Sequence, residues 1–381
     1  MGRRRGAVAL ALALLLGAPA LAQQPVEVRL PILVPLTGIV ALEGTSQRNG
    51  ALLAIGQISD IAFKPEVLDT AATPEAAVTA WSRAVGDGPA PVAVIGPIFG
   101  PQMLALLPLA QERGVPLLTI SGTARLSEMG NPYFFRFFPS DGTVKVVHAR
   151  YVVETLGAKR PAVIYQSTAY GQSGREQLAK NFAELKTPPV LEESVAPTAN
   201  DLTPALLRAK AANADVLVLH LHAPSTVLAI RQARQLLPEL PIVAGSAMHQ
   251  PATAALLEPA ELKGVCAETA ASPISAATPA MRDFLAAYRK TYNSDPDAFA
   301  AAQYDAVMMM ADSLRKLRAA NRAVTPAALR EALSTQDYKG VVTTYRSDGK
   351  GNMAHEAEIV CFDGTSRIPA LARRYSFPAG R

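Results

Sequence analysis

The chain has 381 residues, of which 18% are charged and only two are cysteine. This length predicts two domains of ordinary size, and the composition excludes an intrinsically disordered chain. Two cysteines are too few for a disulfide framework or a cysteine-rich zinc module.

Residues 1–22 have the three-part pattern of a secretory signal peptide. Arg3–Arg5 make a basic start, Ala7–Leu16 form an uncharged apolar run, and Ala20–Ala22 form a small-x-small cleavage site. We therefore expect cleavage after Ala22, and the apolar run is too short to be a membrane anchor. Without the three arginines the net charge falls from +5 to +2. No basic block remains, so we expect no nucleic-acid partner.

Short apolar runs then alternate with amphipathic stretches. The alternation predicts strands at 26–34, 66–69, 92–95 and 116–120, with helices at 46–58, 74–85 and 102–113. It continues with strands at 162–165, 190–195, 216–220 and 241–245, and with helices at 144–156, 174–185, 202–212 and 226–237. The last predicted helices are 279–292, 299–318 and 326–333. Apolar strands separated by helices are typical of parallel sheets buried on both faces, so we expect an α/β fold with two doubly wound lobes.

The sequence contains none of the common catalytic or nucleotide-binding motifs. It has no G-x-G-x-x-G, G-x-x-x-x-G-K, C-x-x-C or H-E-x-x-H pattern. Gly171–Gly174 is one residue short of a nucleophile elbow, and a serine in such a turn usually caps a helix. His220, His222 and His249 are candidates for a zinc site, with packed or cleft-lining histidines as the alternative. We predict a protein without enzymatic activity, cofactor or metal.

Several short motifs follow one another in an order and spacing that resemble a known family. They are Pro35-Leu36-Thr37-Gly38, Arg48-Asn49-Gly50-Ala51, Val94-Ile95-Gly96-Pro97, Ser121-Gly122-Thr123, Tyr170-Gly171 and Tyr304-Asp305-Ala306. Together they resemble the type I periplasmic solute-binding proteins of ABC importers, in the leucine/isoleucine/valine-binding branch.

The resemblance implies two Rossmann-like lobes joined by three crossovers, which close on a small solute. The first lobe would comprise residues 23–139 and 268–344, and the second residues 140–267 and 345–381. The resemblance also implies a monomer in the periplasm that delivers its solute to the membrane subunits of an ABC permease. A ligand-sensing receptor module of the same fold is the alternative. A secreted hydrolase that uses Ser173 or Ser246 with His222 is a third reading.

Relatives of this family hold the ligand carboxylate with a loop and a turn of the first lobe. Gly100 stands where relatives have a loop serine, so its N–H remains but the hydroxyl is missing. Ser121 and Thr123 match the turn, in which a backbone carbonyl and a threonine side chain hold the amino and carboxyl groups. An ordinary helix cap is the alternative role for these two residues.

Other ligand contacts follow from the same resemblance. Tyr170 matches an aromatic of the second lobe, and its neighbour Gly171 indicates a loop. His222 stands at a family tyrosine position, and Glu43 stands near the pocket rim. Phe299 is expected to cover the side-chain end of the ligand. Solvent exposure for Glu43 and core packing for Phe299 are the alternatives.

Amino-acid binders of this branch carry an acidic residue after the strand at 241–243, and it pairs with the ligand ammonium. Here the segment from Ala244 to Met248 includes Ser246 but no carboxylate. Burying an ammonium without a counter-charge is costly. We therefore expect a small organic acid, aromatic acids included, with an amino acid paired to Glu43 as the alternative.

The two cysteines also differ from the family pattern. The first-lobe disulfide of the amino-acid binders would fall near Ala72 and Phe99, and neither is cysteine. Cys266 and Cys361 instead lie on strand-like runs assigned to the second lobe. Export favours a bond between them.

Overall fold

The computed structural model describes residues 26–86, 88–275 and 278–378. The predicted signal peptide at 1–22 lies outside the described residues. Within these ranges, no helix is both long enough and apolar enough to cross a membrane.

The first part of the chain alternates strands with helices. Its elements are β1 (Val26–Val34), α1 (Ala41–Gln57), β2 (Ile61–Asp69), α2 (Pro74–Ala84), β3 (Val94–Ile95), α3 (Gly100–Arg113), β4 (Leu117–Thr119), α4 (Arg125–Glu128) and β5 (Phe134–Arg136). The five strands form one parallel sheet in the order β2-β1-β3-β4-β5.

The middle part repeats this alternation. Its elements are α5 (Asp141–Arg150), a π-helical turn (Tyr151–Thr155), β6 (Pro161–Gln166), α6 (Ala169–Glu184), β7 (Leu191–Val195), α7 (Thr203–Ala211), β8 (Val216–His220), α8 (Ala223–Leu236), β9 (Ile242–Ala244), a 3-10 turn (Ser246–His249), α9 (Pro251–Ala254), a 3-10 turn (Pro259–Leu262) and β10 (Val265–Thr269). These strands form the parallel part of a second sheet.

The last part contributes to both sheets. Its elements are a 3-10 turn (Pro273–Ser275), α10 (Pro279–Tyr292), α11 (Ala298–Ala319), α12 (Pro326–Thr335), β11 (Tyr338–Lys339), β12 (Thr344–Tyr345), β13 (Glu356–Cys361) and β14 (Ala370–Ser376). Helices α10 to α12 pack on the first sheet. Strands β13 and β14 add antiparallel to the second, giving the order β14-β13-β10-β9-β8-β6-β7.

The expected α/β fold with two lobes is confirmed. We call the first sheet with α1–α4 and α10–α12 the first half, and the second sheet with α5–α9 the second half. The described chain passes between them three times, after β5, after β10 and after β12. The precise lobe limits at 139, 267 and 344 remain a proposal, and β10 extends the second sheet to Thr269.

Helix starts agree with the sequence at three helices where a capping threonine precedes a proline, whereas α6, capped by Thr168, begins at Ala169, five residues before its predicted start. Thr73, Thr278 and Thr325 each accept a hydrogen bond from the N–H three residues later, and a proline follows each. The predicted starts at 74, 279 and 326 are therefore confirmed. Helix α1 begins at Ala41, five residues before the predicted start, and has no side-chain cap.

Two local predictions are wrong. Strand β2 begins at Ile61 instead of residue 66, and Pro65 lies inside it because β2 is the edge strand of its sheet. Gly171 is not in a loop but in the first turn of α6, which Thr168 caps. A Cβ at Gly171 would lie 1.8 Å from the carbonyl oxygen of Gln166, so only glycine fits this approach.

Cys266 and Cys361 face each other across β10 and β13 and are joined by a disulfide bond. The Tyr151 hydroxyl lies beside both sulfur atoms. The bond joins β10, after which the chain crosses to the first half, to β13, which follows the return crossing.

Close helix packing in the first half depends on Gly50. A Cβ at Gly50 would lie 2.0 Å from the carbonyl oxygen of Ala300 in α11, whereas a Cβ at Gly56 of the same helix meets nothing within 4 Å. We predict that Gly50→Ala lowers the free energy of unfolding by roughly 2–3 kcal/mol through overpacking. Gly56→Ala should be neutral or stabilising by up to about 1 kcal/mol. Urea unfolding of both variants checks this, and equal effects would contradict it.

Candidate functional site

A cavity lies between the two halves, at the carboxyl ends of the strands of both sheets. It holds about 510 Å³ of empty space, including the part open to solvent. Its lining comprises Val40, Glu43, Ile98, Phe99, Gly100, Ile120, Gly122, Phe138, Pro139, Asp141, Val144, Tyr170, His222, Ser246, Ala247 and Phe299. This is where open α/β sheets bind ligands.

The structure brings the predicted site residues together. Six of them line the cavity: Gly100, Tyr170, His222, Ser246, Glu43 and Phe299. The other two, Ser121 and Thr123, flank the lining residue Gly122 and are buried. Their contact with a ligand stays a prediction.

The buried side chain of Arg136 holds the turn at 121–123 in place through the turn's backbone carbonyls. Its Nη1 donates to the carbonyl oxygens of Ser121, Gly122 and Thr123 at 3.1, 3.2 and 2.7 Å. Its other guanidinium nitrogens bond to Ser127 and Asn352. Burial lowers the pKa of Arg136 to about 10, so the side chain stays cationic at neutral pH. Every backbone carbonyl of this turn already accepts a hydrogen bond, including the one that the resemblance assigns to a ligand amino group.

The hydroxyls of Ser121 and Thr123 are buried and have no hydrogen-bond partner among the described residues. A Cβ at Gly100, the first residue of α3, would lie 2.1 Å from Thr123 Oγ1. The threonine hydroxyl therefore occupies the space that a side chain at position 100 would need. Buried hydroxyls without partners are costly. These atoms are therefore suited to binding a ligand oxygen.

Aromatic rings from both halves surround the cavity. Tyr170 stacks on His222 with ring centroids 5.0 Å apart, and Phe99 meets His222 edge-on at 5.5 Å. On the first half, Phe138 and Phe299 lie 5.0 Å apart. Together with the aliphatic lining residues, these rings favour a ligand with a compact apolar body.

Glu43 is an acid inside this apolar lining, not at a solvated rim. Its side chain is buried, and Oε1 accepts a long hydrogen bond of 3.4 Å from the N–H of Ala223 in the second half. Its Oε2 has no partner within the described ranges. Burial raises the pKa of Glu43 to about 7. Near neutral pH the group is therefore part protonated.

His222 precedes α8 and contributes an imidazole to the cavity. Burial lowers its pKa to about 4, so the ring is neutral at physiological pH. Its Nε2 finds no hydrogen-bond partner in the described part of the chain. The ring can therefore offer a ligand one neutral hydrogen bond.

Sequence reasoning missed Asp141, which lines the cavity at the start of α5. Its Oδ2 accepts a 2.6 Å hydrogen bond from the Ser173 hydroxyl, which itself accepts the N–H of Ala124 at 2.9 Å. Burial raises the pKa of Asp141 to about 6, although Lys145 opposes the shift. Asp141 follows β5 closely in the sequence, and this position near the carboxyl end of a strand could have indicated a site residue.

A buried charged cluster lies behind Ser246 and was also missed. The Glu268 carboxylate binds Lys145 Nζ and lies 2.9 Å from His148 Nδ1. Ser246 Oγ donates to the same carboxylate at 3.3 Å. Burial alone would raise the pKa of Glu268, but Lys145 and His148 hold it below its usual range.

The alternative chemistries find no support in this geometry. Ser173 donates to Asp141 and Ser246 donates to Glu268, so neither hydroxyl is paired with His222. In the described residues, no group of three or more His, Cys, Asp or Glu side chains is placed to hold a metal.

Comparison with known proteins agrees with this architecture. Residues 27–365 match the model of a family of periplasmic binding proteins. The chain belongs to this family. The predicted membership of the periplasmic solute-binding proteins is thereby confirmed, and relatives named as Leu/Ile/Val-binding proteins agree with the predicted branch.

Two groups of relatives illustrate the range of the family. The Leu/Ile/Val-binding protein BraC3 of Rhizobium johnstonii is 26% identical over 229 residues, covering 58% of this chain and 62% of that protein. The alignments to this and three further curated relatives span between 53 and 63% of their lengths.

Solved structures show the same fold over nearly the whole chain. The leucine binding protein LivK of Thermotoga maritima has a TM-score of 0.81 at 23% identity, covering 92% of this chain and 99% of that one. A solute binding protein of an ABC transporter from Rhodopseudomonas palustris, in complex with 3,4-dihydroxybenzoic acid, has a TM-score of 0.81 at 20% identity. The alignment covers 93% of this chain and 98% of that protein.

The buried acid Glu43 should make stability depend on pH. Its pKa lies at about 7 in the folded protein against an ordinary 4.5, so the destabilisation is absent below pH 4.5, grows between pH 4.5 and 7 and is complete above pH 7. We predict that Glu43→Gln raises the free energy of unfolding by up to about 3 kcal/mol at pH 8 and leaves it nearly unchanged at pH 4.5. Urea unfolding at both pH values checks this. An equal gain at both would contradict it.

Proposed function

We propose that the protein is the periplasmic substrate-binding component of an ABC importer and captures a small carboxylate-bearing solute between its halves. It would act as a monomer and deliver the solute to membrane permease subunits. The observation that carries this proposal is the cavity itself. Both halves line it, it is largely apolar, and it contains buried polar atoms without partners.

Direct hydrogen bonds between the two halves support a cleft that closes on its solute. Hydrogen bonds cross the cleft from Ala124 N–H to Ser173 Oγ at 2.9 Å and from Gln250 Nε2 to Asp297 Oδ2 at 2.7 Å. Closure of this kind traps a solute, and a permease can distinguish the closed from the open form.

The turn at 121–123 supports a carboxylate as the ligand's charged end. It offers two unpartnered hydroxyls, of which that of Thr123 lies beside the start of α3, and Arg136 donates to its backbone carbonyls. A helix start and oriented donors stabilise an anion without direct contact to a cation. The aromatic lining supports an organic or aromatic acid.

A branched-chain or other amino acid is the second candidate, favoured by one observation. Glu43 and Asp141 both place carboxylates at the cavity, and either is a potential partner for an α-ammonium group. Sequence reasoning had considered only Glu43 for this role.

Thermal unfolding of refolded protein across a panel of solutes tests the proposal. The panel contains aliphatic acids, aromatic acids, amino acids, amides and urea, and refolding removes any solute carried through purification. A ligand at 100 times its Kd should add about 2.7 kcal/mol to stability. Carboxylates should give the largest shifts, whereas a response to amides or urea alone would refute the carboxylate proposal.

Thr123 should separate ligand binding from stability. We predict that Thr123→Val stabilises the ligand-free protein by about 1 kcal/mol, because it removes a buried hydroxyl without a partner. The same change should weaken binding of the best carboxylate in the panel about tenfold. Calorimetric titration and urea unfolding measure both effects.

Thr119 provides the matched control, since its hydroxyl donates to the Pro97 carbonyl and accepts the Ser121 N–H. Thr119→Val should therefore destabilise the ligand-free protein. Unchanged affinity in Thr123→Val would contradict the assigned role of the turn.

A further inference from the structure

A buried cluster of charged side chains lies beside the cavity, and its carboxylates are paired with cations. Glu268 on β10 and Lys145 on α5 are both fully buried, and their side chains form a direct ion pair. Glu268 also bonds to His148 and Ser246. Because Ser246 lines the cavity, this acid lies one side chain away from the ligand space.

Lys145 also acts on the acid that does line the cavity. Asp141 and Lys145 are four residues apart on α5 and so lie on the same face of the helix. The Lys145 ammonium opposes the burial that raises the pKa of Asp141. Arg136 is a second buried cation near the same carboxylate.

The charges of the fully buried groups in this cluster balance. Two buried carboxylates, Asp141 and Glu268, are matched by two buried cations, Lys145 and Arg136. Arg136 also faces Glu128 and Asp348, which lie outside this buried set. The neighbouring histidines His148 and His220 have pKa values lowered by burial, so they add no charge at neutral pH. Glu43 is the remaining acid of the lining and is part protonated near pH 7.

We propose that Lys145 determines ligand class by neutralising Glu268, which lies behind Ser246, and Asp141, which lines the cavity, so that the cavity selects carboxylic acids without an α-ammonium group. This inference rests on the proposed solute-binding function and narrows its ligand. A ligand ammonium would lose its hydration in a site whose fixed charges are already paired, and burial of an uncompensated charge is unfavourable.

The test uses ligand pairs that differ only in the ammonium group. L-leucine is compared with 4-methylpentanoate, and L-phenylalanine with 3-phenylpropanoate, by calorimetric titration of the refolded mature protein at pH 7.5. Wild type should bind the amine-free member at least about tenfold more tightly. Lys145→Met leaves one cation for two carboxylates and should shift this ratio about tenfold or more toward the amino acid.

Two further variants separate charge from structural damage. Lys145→Met combined with Glu268→Met restores the charge balance and should restore the wild-type ratio. Glu268→Gln leaves two buried cations for one carboxylate and should shift the ratio in the opposite direction, which keeps the test available if Lys145→Met does not fold. Lys316→Met removes an exposed i,i+4 partner of Asp312 on α11 and should leave the ratio unchanged.

The possible outcomes test the role of Lys145 separately from the proposed solute-binding function. An unchanged ratio in folded Lys145→Met, or equal shifts in the single and double variants, would overturn the role of Lys145. Tighter binding of the amino acids by wild type would also overturn it while leaving solute capture intact. Failure of wild type to bind any carboxylate in either pair would overturn the proposed ligand class itself.

Discussion

The Arg136 guanidinium holds together the parts of the molecule on which the cleft depends. It is completely buried at the end of β5, where the chain leaves the first sheet. It satisfies the carbonyls of the turn at 121–123 and also bonds to Asn352, which follows the third crossover. A buried guanidinium is stable only when such acceptors surround it. The turn beside the cavity, the end of β5 and the segment after the third crossover are therefore joined through one buried cation.

The chemistry of the cavity follows from how its charges are distributed. Cations lie behind the lining, whereas the lining itself presents apolar rings, neutral histidine and carboxyl groups shifted toward neutrality. This arrangement is the basis of the proposal that a carboxylate binds through hydroxyl and N–H groups without direct contact with a cation. Because Glu268 is paired with Lys145 and burial raises the pKa values of Glu43 and Asp141, the net charge near the cavity is less negative than the number of acids suggests.

The sequence predicted the features that local chemistry controls. The alternation of strands and helices was correct, and the helices capped by Thr73, Thr278 and Thr325 began where expected. Uncapped α1 was placed too late, and the edge position of β2, which tolerates Pro65, was not visible in the pattern. Six proposed site residues line the cavity because their motifs follow the carboxyl ends of strands.

The sequence by itself determined the α/β class, the binding-protein family and the strand ends that carry the site. Only the tertiary structure decided the electrostatics. Lys145 and Glu268 are separated by 123 residues, and Arg136 and Asn352 by 216. Their pairing depends on which helix packs over which strand. The segment after β9 has no carboxylate, but Ser246 in that segment contacts Glu268 of β10, which is paired with Lys145, because packing and not sequence order sets charge proximity.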